Sequence, residues 1–550
     1  MSKKPPKGLG LHEPLRLQEH SRPRTRREFV AQGFLTGAAT VVAPTLLGVL
    51  GNPRMARAAL SPDILADKIA CGITSGAGKI PFICFDLAGG GNIAGSNVLV
   101  GGPKGQLDFL SVAGYNKLGL PGTMVPNPST TGNFIDASLG LRFHSDSAHL
   151  RGIMTRVKTA SVKTNTTGTV IPALSQNDTN VNPHNPMYAI WQYGARGGLL
   201  DLIGSDSSMS GGNSMAPMTM MIPSAAPVKV SSSSDTKGLV NTGQLSTLLP
   251  LPSDVTSVME SVKRISDAKY PKVTAYTDTT LNAAALGPKG TSACGYTKAA
   301  YVVDQFGNPA SVNPDVDPNI VGTSGIFNAM EYQNNSDYQK TAAIMKLVID
   351  GNAAAGTIEM GGFDYHTGDR MTGEARDENL GNCIGACLEY AARVNKPVMI
   401  YVFSDGSLAS SGMIDSSVGG RGKGVWTADN QNVAATYFLV FDPKGKPQSA
   451  LSSPEMSLQL GNFNSDGSLN TTGSPAGNNV FNLVQMVVLN YMALHGDAIN
   501  GFSLADGTPV PGFANLFPAP NLNNTLGTGS ALTPLIAYQP IASVVKGKIS

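Results

Sequence analysis

The sequence predicts an α/β fold with a mostly parallel central sheet, chiefly because of one β-α-β unit between residues 355 and 407. In that unit "AGTIEMGG" is strand-forming, "TGEARDENLGNCIGACLEYAARV" is helix-forming and "KPVMIYVFSDGS" is an apolar strand. An earlier apolar strand, "KIPFICFDLAGGGN", ends in an acid and glycines. Such units build parallel sheets through right-handed crossovers, and ligands bind outside the carboxyl ends of the strands. We therefore expect the functional residues at that edge.

The N-terminal stretch "RTRREFVAQGFLTGAATVVAPTLLGVLG" resembles a twin-arginine (Tat) export signal. Arg26 and Arg27 precede a run that Gly and Pro dilute, whereas a spanning helix needs about 20 mainly apolar residues. Ala56 and Ala58 give the small-x-small pattern that signal peptidase reads. The resemblance implies that the Tat translocase exports the chain, that residues 1–58 are removed and that the protein is periplasmic or secreted. An uncleaved amphipathic anchor is the alternative.

Residues 59–550 are numerous enough for one large α/β domain or two ordinary ones, and we predict a single α/β domain. Charged residues make up only 14% of the chain and the formal net charge is +2. No basic run with interleaved aromatics follows residue 60, so no nucleic-acid partner is expected. No second segment is apolar over a spanning length, so we expect no stable transmembrane anchor.

Other elements follow from caps and from the periodicity of apolar residues. A serine before proline, with an acid in the first turn, predicts a helix at "SPDILADKIA". The same kind of reasoning predicts helices at "NPHNPMYAIWQYG", "SDVTSVMESVKRISDAKY", "SDYQKTAAIMKLVID" and "FNLVQMVVLNYMALHG". "SAHLRGIMTRVKTA" predicts a short helix followed by a strand, and strands are expected at "MTMMIP" and "VAATYFLVFD".

The five cysteines form no C-x-x-C pair, which argues against a zinc ribbon. Cys383 and Cys387 lie four residues apart, on one face of the predicted helix, and we interpret them as small core residues. A redox or metal pair is the alternative there. A disulfide elsewhere is compatible with an oxidising periplasm, but the sequence does not say which cysteines pair.

The candidate metal ligands follow strand ends. Asp364 and His366 form a D-x-H after two glycines, and carboxylate with imidazole is a common metal pair. Alternatively, Asp364 caps the following turn and His366 bonds to backbone. Asp405 ends the next strand of the β-α-β unit, and Asp86 joins the group if its own strand is central in the sheet.

Gly89, Gly91 and Ala94 match a loosened dinucleotide fingerprint after a strand. Such a loop must open directly into a helix, and here glycines and a proline interrupt the chain within a few residues. We therefore expect no nucleotide cofactor.

The order of the Tat signal, "DLAGGGNIAGSN", "NPHNPMYAIWQYG", "GGFDYHTGD" and "VMIYVFSDGS" is similar to that of the domain-of-unknown-function 1501 family (DUF1501). Its members are Tat-exported proteins assigned to the alkaline phosphatase and sulfatase superfamily, and some are labelled general secretion pathway proteins. The resemblance covers roughly residues 81 to 502. It implies an alkaline-phosphatase-like three-layer sandwich with long loop insertions, and a divalent metal such as Zn, Mn, Mg or Ca. By resemblance, Asp364 and His366 fall on the family's G-F-D-T-H, His184 on its S-H and Asp405 on the acid of its S-E-F-G-R.

The chain also departs from that pattern. "GSLAS" replaces the F-G-R, and the later G-T-D-H-G is missing, since "VWTADNQNVAATYF" has Asp429 but no histidine. His495, on a late apolar helix, is expected to have a core role. His144 and His149 flank Asp146 in a cluster that either supplies ligands or caps a helix, and we favour capping.

Two functions of different classes remain open. In the first, the resemblance implies a metal-dependent hydrolase of phosphate or sulfate esters with Asp86, Asp364, His366 and Asp405 as ligands and a serine or a metal-activated water as nucleophile. In the second, the metal site is degenerate, and the protein is a non-catalytic exported binding or assembly factor.

Overall fold

The computed structural model describes residues 60–549 apart from 72, 74–75, 77, 128–132, 176–181, 242–247, 250, 270–289, 307, 367, 497–501, 504–508, 511, 518–525 and 528. The predicted signal, with Arg26, Arg27, Ala56 and Ala58, lies outside the described residues. In the described part of the chain, no helix is both long enough and apolar enough to cross a membrane.

The helices and strands are numbered in chain order. The helices are α1 (Pro62–Ala70), α2 (Val112–Lys117), α3 (Ala148–Arg156), α4 (Ala160–Asn165), α5 (Met187–Gln192), α6 (Ser233–Leu239), α7 (Pro252–Lys269), α8 (Gly290–Phe306), α9 (Ala329–Asn334), α10 (Ser336–Ile349), α11 (Met371–Arg393), α12 (Pro454–Ser457), α13 (Val480–Leu494) and α14 (Phe513–Leu516). The strands are β1 (Phe82–Leu87), β2 (Ile135–Leu139), β3 (Leu141–His144), β4 (Thr166–Pro172), β5 (Leu200–Gly204), β6 (Val228–Lys229), β7 (Ala353–Met360), β8 (Val398–Ser404), β9 (Leu408–Asp415), β10 (Lys423–Asp429), β11 (Ala435–Phe441), β12 (Phe502–Ser503), β13 (Pro509–Val510), β14 (Val544–Val545) and β15 (Lys548–Ile549).

The chain divides into two compact units. The smaller unit combines Met1–Ile73 with Val240–Asn308, and the larger unit combines Thr74–Leu239 with Pro309–Ser550. The segment between α6 and the end of α8 thus supplies most of the described part of the smaller unit.

The smaller unit contains α1, α7 and α8. A disulfide joins Cys71, at the end of α1, to Cys294 in α8. The buried ammonium of Lys263 forms ion pairs with Asp67 and with Asp267, the latter at 2.7 Å. The unit's largest described apolar cluster has only four buried members, so the covalent link is the type of constraint that small folds use to limit the entropy of the unfolded chain.

The larger unit is built on a seven-stranded sheet with the order β4-β11-β8-β1-β7-β5-β6. The pairs among β8, β1, β7, β5 and β6 are all parallel, whereas β11 is antiparallel to both β8 and β4. β1 lies between β7 and β8, so the predicted β-α-β unit crosses over one intervening strand. Leu87 is level with Met360 and Ser404, and the three strands therefore end together at one edge.

Helices cover both faces of this sheet. Ile344 of α10 occupies the space beside Gly356 of β7, and the next residue, Thr357, lies 3.8 Å from the Met187 sulfur of α5. Because successive strand residues face opposite sides, α10 and α5 lie on opposite faces. α13 shares a continuous buried apolar cluster with α5 and the sheet. The larger unit is thus a three-layer α/β fold, as the sequence predicts.

Most elements are where the sequence predicts them, with two exceptions. "MTMMIP" is wrong as a strand, because Met218–Met220 form a 3-10 turn in which Met220 N–H bonds to Pro217 O at 2.9 Å. Local hydrogen bonds thus satisfy the backbone there. The strand predicted at the end of "SAHLRGIMTRVKTA" is also wrong, because a second short helix, α4, begins at Ala160 and the next strand, β4, begins only at Thr166.

The cysteines of α11 are buried, as predicted. Cys383 and Cys387 are fully enclosed and carry free thiols, as does Cys84 in β1. Burial raises the pKa of all three thiols, so they remain protonated and act as small apolar side chains.

Candidate metal centre

Three loops meet where β1, β7 and β8 end. Gly89, just after β1, has φ +120°, and a Cβ there would lie 2.5 Å from the Asp364 backbone nitrogen. Only glycine permits so close an approach. The Gly89 N–H also donates to Asp405 Oδ1, after β8, at 2.9 Å. The glycine loop therefore packs directly against the loops that carry Asp364 and Asp405.

Three side chains at this edge form a group that could hold a metal ion: Asp364, His366 and Asp429, with ligand atoms all within 4.8 Å of one another. His366 Nδ1 lies 2.6 Å from Asp364 Oδ1 and 3.3 Å from Asp429 Oδ1. The side chains are 36%, 55% and 44% exposed for His366, Asp364 and Asp429 respectively. The group is thus accessible from solvent.

The contacts of His366 Nδ1 with the two carboxylates fit an ion pair or a shared cation, and they lack hydrogen-bond geometry. Although two carboxylate oxygens lie close, this nitrogen makes no hydrogen bond in the described part of the structure. A protonated imidazole pairs with the two carboxylates directly, whereas a neutral imidazole with a free Nδ1 lone pair can share a cation with them. Two carboxylates and an imidazole are also a donor set that divalent transition metals accept. The residues present therefore fit a divalent cation.

Asp429 reaches the site through the β9–β10 hairpin. Asp429 pairs with Leu408, which follows Asp405 by three residues, so the hairpin returns the chain to the edge where β8 ends. Asp429 was not among the ligands predicted from the sequence. Two strand-like segments, "LASSGMID" and "KGVWTAD", stand on either side of a glycine-rich turn and together predict a hairpin. If the two strands pair along their whole length, the last residue of the second strand lies opposite the first residue of the first strand, and this places Asp429 near Asp405.

Tyr365 lies between the candidate ligands Asp364 and His366 in the sequence and anchors the loop that carries them. Its side chain is buried, and its hydroxyl donates to Asp377 Oδ1 of α11 at 2.8 Å and accepts the Asn92 N–H at 2.9 Å. Asp364 and His366, on either side, remain accessible. The buried hydroxyl thus fixes the backbone from which both ligands project.

Asp405 and Asp86 are placed differently from these ligands. Asp405 is 1% exposed, and besides Gly89 its carboxylate accepts the Asn213 side-chain amide at 2.8 Å. Asp86 is fully buried and accepts the Ser214 N–H at 2.7 Å and hydroxyl at 2.9 Å. Burial raises the pKa of Asp86 from 3.8 to about 7. β1 is central, the condition for Asp86 to join the site, but its carboxylate lies outside the cluster of three.

His184 and Ser404 are also buried. The His184 ring is 2% exposed and stacks on Phe403 with the centroids 5.8 Å apart. Burial lowers the pKa of His184 to about 4, so its imidazole is neutral at neutral pH. The Ser404 hydroxyl donates to Leu87 O and accepts the Gly91 N–H, each at 2.8 Å. Neither side chain belongs to the cluster of three.

The other histidines have structural surroundings. Both ring nitrogens of His495 contact backbone groups, at 3.0 and 2.8 Å, in agreement with its expected core role. His144 is buried, and burial lowers its pKa to about 4. His149 is buried within α3, where the helix is capped by Ser147 rather than by Asp146. Asp146 instead pairs with Arg151 and other cations.

The Gly89–Ala94 segment lacks the context of a dinucleotide site. The chain passes through turns after β1, and the first helix that follows begins only at Val112. No helix N-terminus is therefore presented directly after the glycines.

A cation held by these three side chains would keep coordination positions for water and substrate, as in catalytic metal sites. The cluster of Asp364, His366 and Asp429 is thus the feature of the described chain with the clearest chemical capacity.

No protein-family model, curated protein or solved structure matches this chain.

Proposed function

We propose that this chain is an exported metal-dependent hydrolase of phosphate or sulfate esters, with Asp364, His366 and Asp429 as metal ligands. The observation that carries the proposal is the convergence of these three accessible side chains at the carboxyl edge of a parallel sheet. Ligands of such folds bind at that edge. The resemblance to the DUF1501 family, and through it to alkaline phosphatase-like enzymes, supports the same reaction class.

The chain's own residues hold and orient the reacting groups. A divalent cation, when bound, supplies a lower pKa for a coordinated water and positive charge for the developing anion. Asp364, His366 and Asp429 would fix the position of the cation. The buried Tyr365 hydroxyl holds the loop that carries Asp364 and His366 in place. Because the Ser404 hydroxyl is engaged by backbone on both sides, water is the nucleophile that the site favours.

Export rests on the Tat-like N-terminus and gains support from the disulfide of the smaller unit, since disulfides persist mainly in oxidising compartments. We expect that replacing Arg26 and Arg27 together by lysine abolishes export, because lysine does not reproduce the guanidinium fork. Cell fractionation and N-terminal sequencing provide the measurements. Accumulation of the double variant in the periplasm, or a mature chain that keeps residues 1–58, would contradict the assignment.

A non-catalytic binding or assembly factor is the second candidate. It is favoured by the size of the ligand set, because the described residues contain only this one group of three candidate ligands. Esterases that use two metal ions need more side chains than that. This second function keeps metal binding optional and excludes turnover.

Turnover separates the two functions. Mature protein incubated with Zn²⁺, Mn²⁺, Mg²⁺ or Ca²⁺ should hydrolyse 4-nitrophenyl esters of phosphate or sulfate, and Asp429→Asn should abolish the activity while the far-UV spectrum is unchanged. Absence of hydrolysis with every cation and ester would leave the binding or assembly function.

A further inference from the structure

A positively charged side chain, that of Arg376, lies next to the loop that carries Asp364 and His366. Arg376, on the second turn of α11, is exposed, and a Cβ on Gly362 would lie 2.9 Å from its Cζ. Gly362 has φ +82° and no side chain, so the guanidinium rests directly on the loop backbone. Among the described residues Arg376 has neither a hydrogen bond nor an ion pair, in contrast to Arg370 of the same region.

The guanidinium is within reach of a substrate held at the metal. Gly362 precedes Asp364 by two residues, so their Cα atoms are at most about 7.6 Å apart, which is two steps of about 3.8 Å. A long arginine side chain can move over such a distance, and its planar fork of donors matches the oxygens of a sulfate or phosphate group. Arg376 is therefore placed to bind the anionic part of an ester whose other oxygen contacts the cation.

The charges at the site limit the charge of that ester. The carboxylates of Asp364 and Asp429 offset a divalent cation, which leaves Arg376 as the uncompensated positive charge. Asp405, buried beneath Gly89, makes the surroundings more negative, whereas the charges of Lys340 and Lys229 act against that of the nearby Glu359. Like charges repel one another, so each added negative charge on the substrate reduces binding beside these carboxylates.

We propose that Arg376 is the anion-binding residue of the site and that the substrate is a singly charged ester, namely a sulfate monoester or a phosphate diester, rather than a dianionic phosphate monoester. This inference rests on the proposed function. In the reaction the oxygen of water bonds to sulfur or phosphorus, and the ester oxygen leaves with the electron pair of the broken bond. That oxygen takes a proton, so an alcohol and the sulfate or the phosphate monoester are released.

The test compares 4-nitrophenyl sulfate, bis(4-nitrophenyl) phosphate and 4-nitrophenyl phosphate on metal-loaded mature protein. At least one singly charged ester should have a kcat/KM at least about 10-fold above that of the monoester, and which one distinguishes sulfatase from diesterase activity. Arg376→Ala should lower kcat/KM for it by about 10- to 100-fold, the usual effect of losing a charge-assisted hydrogen bond. Arg376→Lys should recover part of the loss.

Lys396→Ala is the matched control, because Lys396 is exposed and precedes β8 at the opposite edge of the sheet. It should leave kcat/KM unchanged, and metal content should be the same in all four proteins. An unchanged kcat/KM in Arg376→Ala, or a preference for the dianionic monoester, would overturn this inference and leave the hydrolase intact. Hydrolysis of none of the three esters by protein that retains metal would overturn the proposed hydrolase itself.

Discussion

Two groups of acids and histidines occupy the same edge of the sheet, and they differ in what surrounds them. Asp364 and His366 are accessible, and Asp429 joins them from a hairpin. Asp86 lies in β1, Asp405 follows β8 and His184 stacks on Phe403 of β8, yet each is at most 2% exposed. Backbone and side-chain donors occupy the two buried carboxylates. Position at a strand end is therefore not sufficient for a ligand, because burial and hydrogen-bond donors turn a carboxylate into a structural link.

The largest expected effect is the pH dependence of the free energy of unfolding that the buried Asp86 causes. The pKa of Asp86 is about 7 in the folded protein and 3.8 when exposed, because burial disfavours its charged form. The unfolded chain therefore loses its proton first. The stability that this provides is fully present below pH 3.8 and is lost as the pH rises through 7, a change of up to about 4 kcal/mol.

Asp86→Asn should remove that dependence and keep both contacts to Ser214, since the amide oxygen accepts the N–H and the amide nitrogen donates to the hydroxyl. Denaturant unfolding of both proteins at pH 4 and pH 8 is the measurement. The variant should gain stability relative to wild type as the pH rises. Parallel pH profiles would show that Asp86 titrates normally and is not isolated from solvent.

The next effect compares one carboxylate from each group. Asp405→Ala should lower the free energy of unfolding by about 3 kcal/mol, because the Gly89 N–H and the Asn213 amide lose their acceptor in a buried site. Asp364→Ala, on an exposed side chain, should change it by less than about 0.5 kcal/mol. Equal losses in the two variants would remove the distinction between the groups.

Tyr365 connects the buried layer to the open cluster, so its hydroxyl should affect both stability and metal affinity. Tyr365→Phe should cost about 1 kcal/mol of stability and weaken metal binding by about 10-fold, as is usual when residues supporting a ligand are changed. Tyr491→Phe is the control, because it removes a buried hydrogen bond of 2.7 Å to Ile80 at the opposite end of β1. That variant should lose similar stability with unchanged metal affinity in a titration. Equal metal affinities in the two variants would contradict the positioning role.

The sequence predicts local features of this fold better than the partners of each strand. The apolar runs and caps of β1, β7, α11, β8 and α13 are visible in consecutive residues, and the structure confirms these elements. The insertion of β1 between β7 and β8 depends on contacts between residues that are 273 and 317 positions apart, which no local pattern encodes. For the same reason the separate smaller unit and the Cys71–Cys294 pairing could not be deduced.

The site was predicted in part for a related reason. Asp364 and His366 lie two residues apart, so the sequence shows the pair directly. Asp429 depends on the register of the β9–β10 hairpin, and the burial of Asp405 depends on Asn213, from a loop far away in the chain. A carboxylate after a strand has the same sequence pattern whether donors or solvent surround it in the fold.

The smallest structural disturbance gives the most direct test of the central claim, that the cation site consists of the accessible side chains. Asp429→Asn and Asp86→Asn each replace a carboxylate by its isosteric amide, one in the open cluster and one in the buried layer. Elemental analysis of the purified mature proteins should find one equivalent of divalent metal in wild type and in Asp86→Asn, and almost none in Asp429→Asn. Metal retained by Asp429→Asn and lost from Asp86→Asn would place the site among the buried residues and contradict the account.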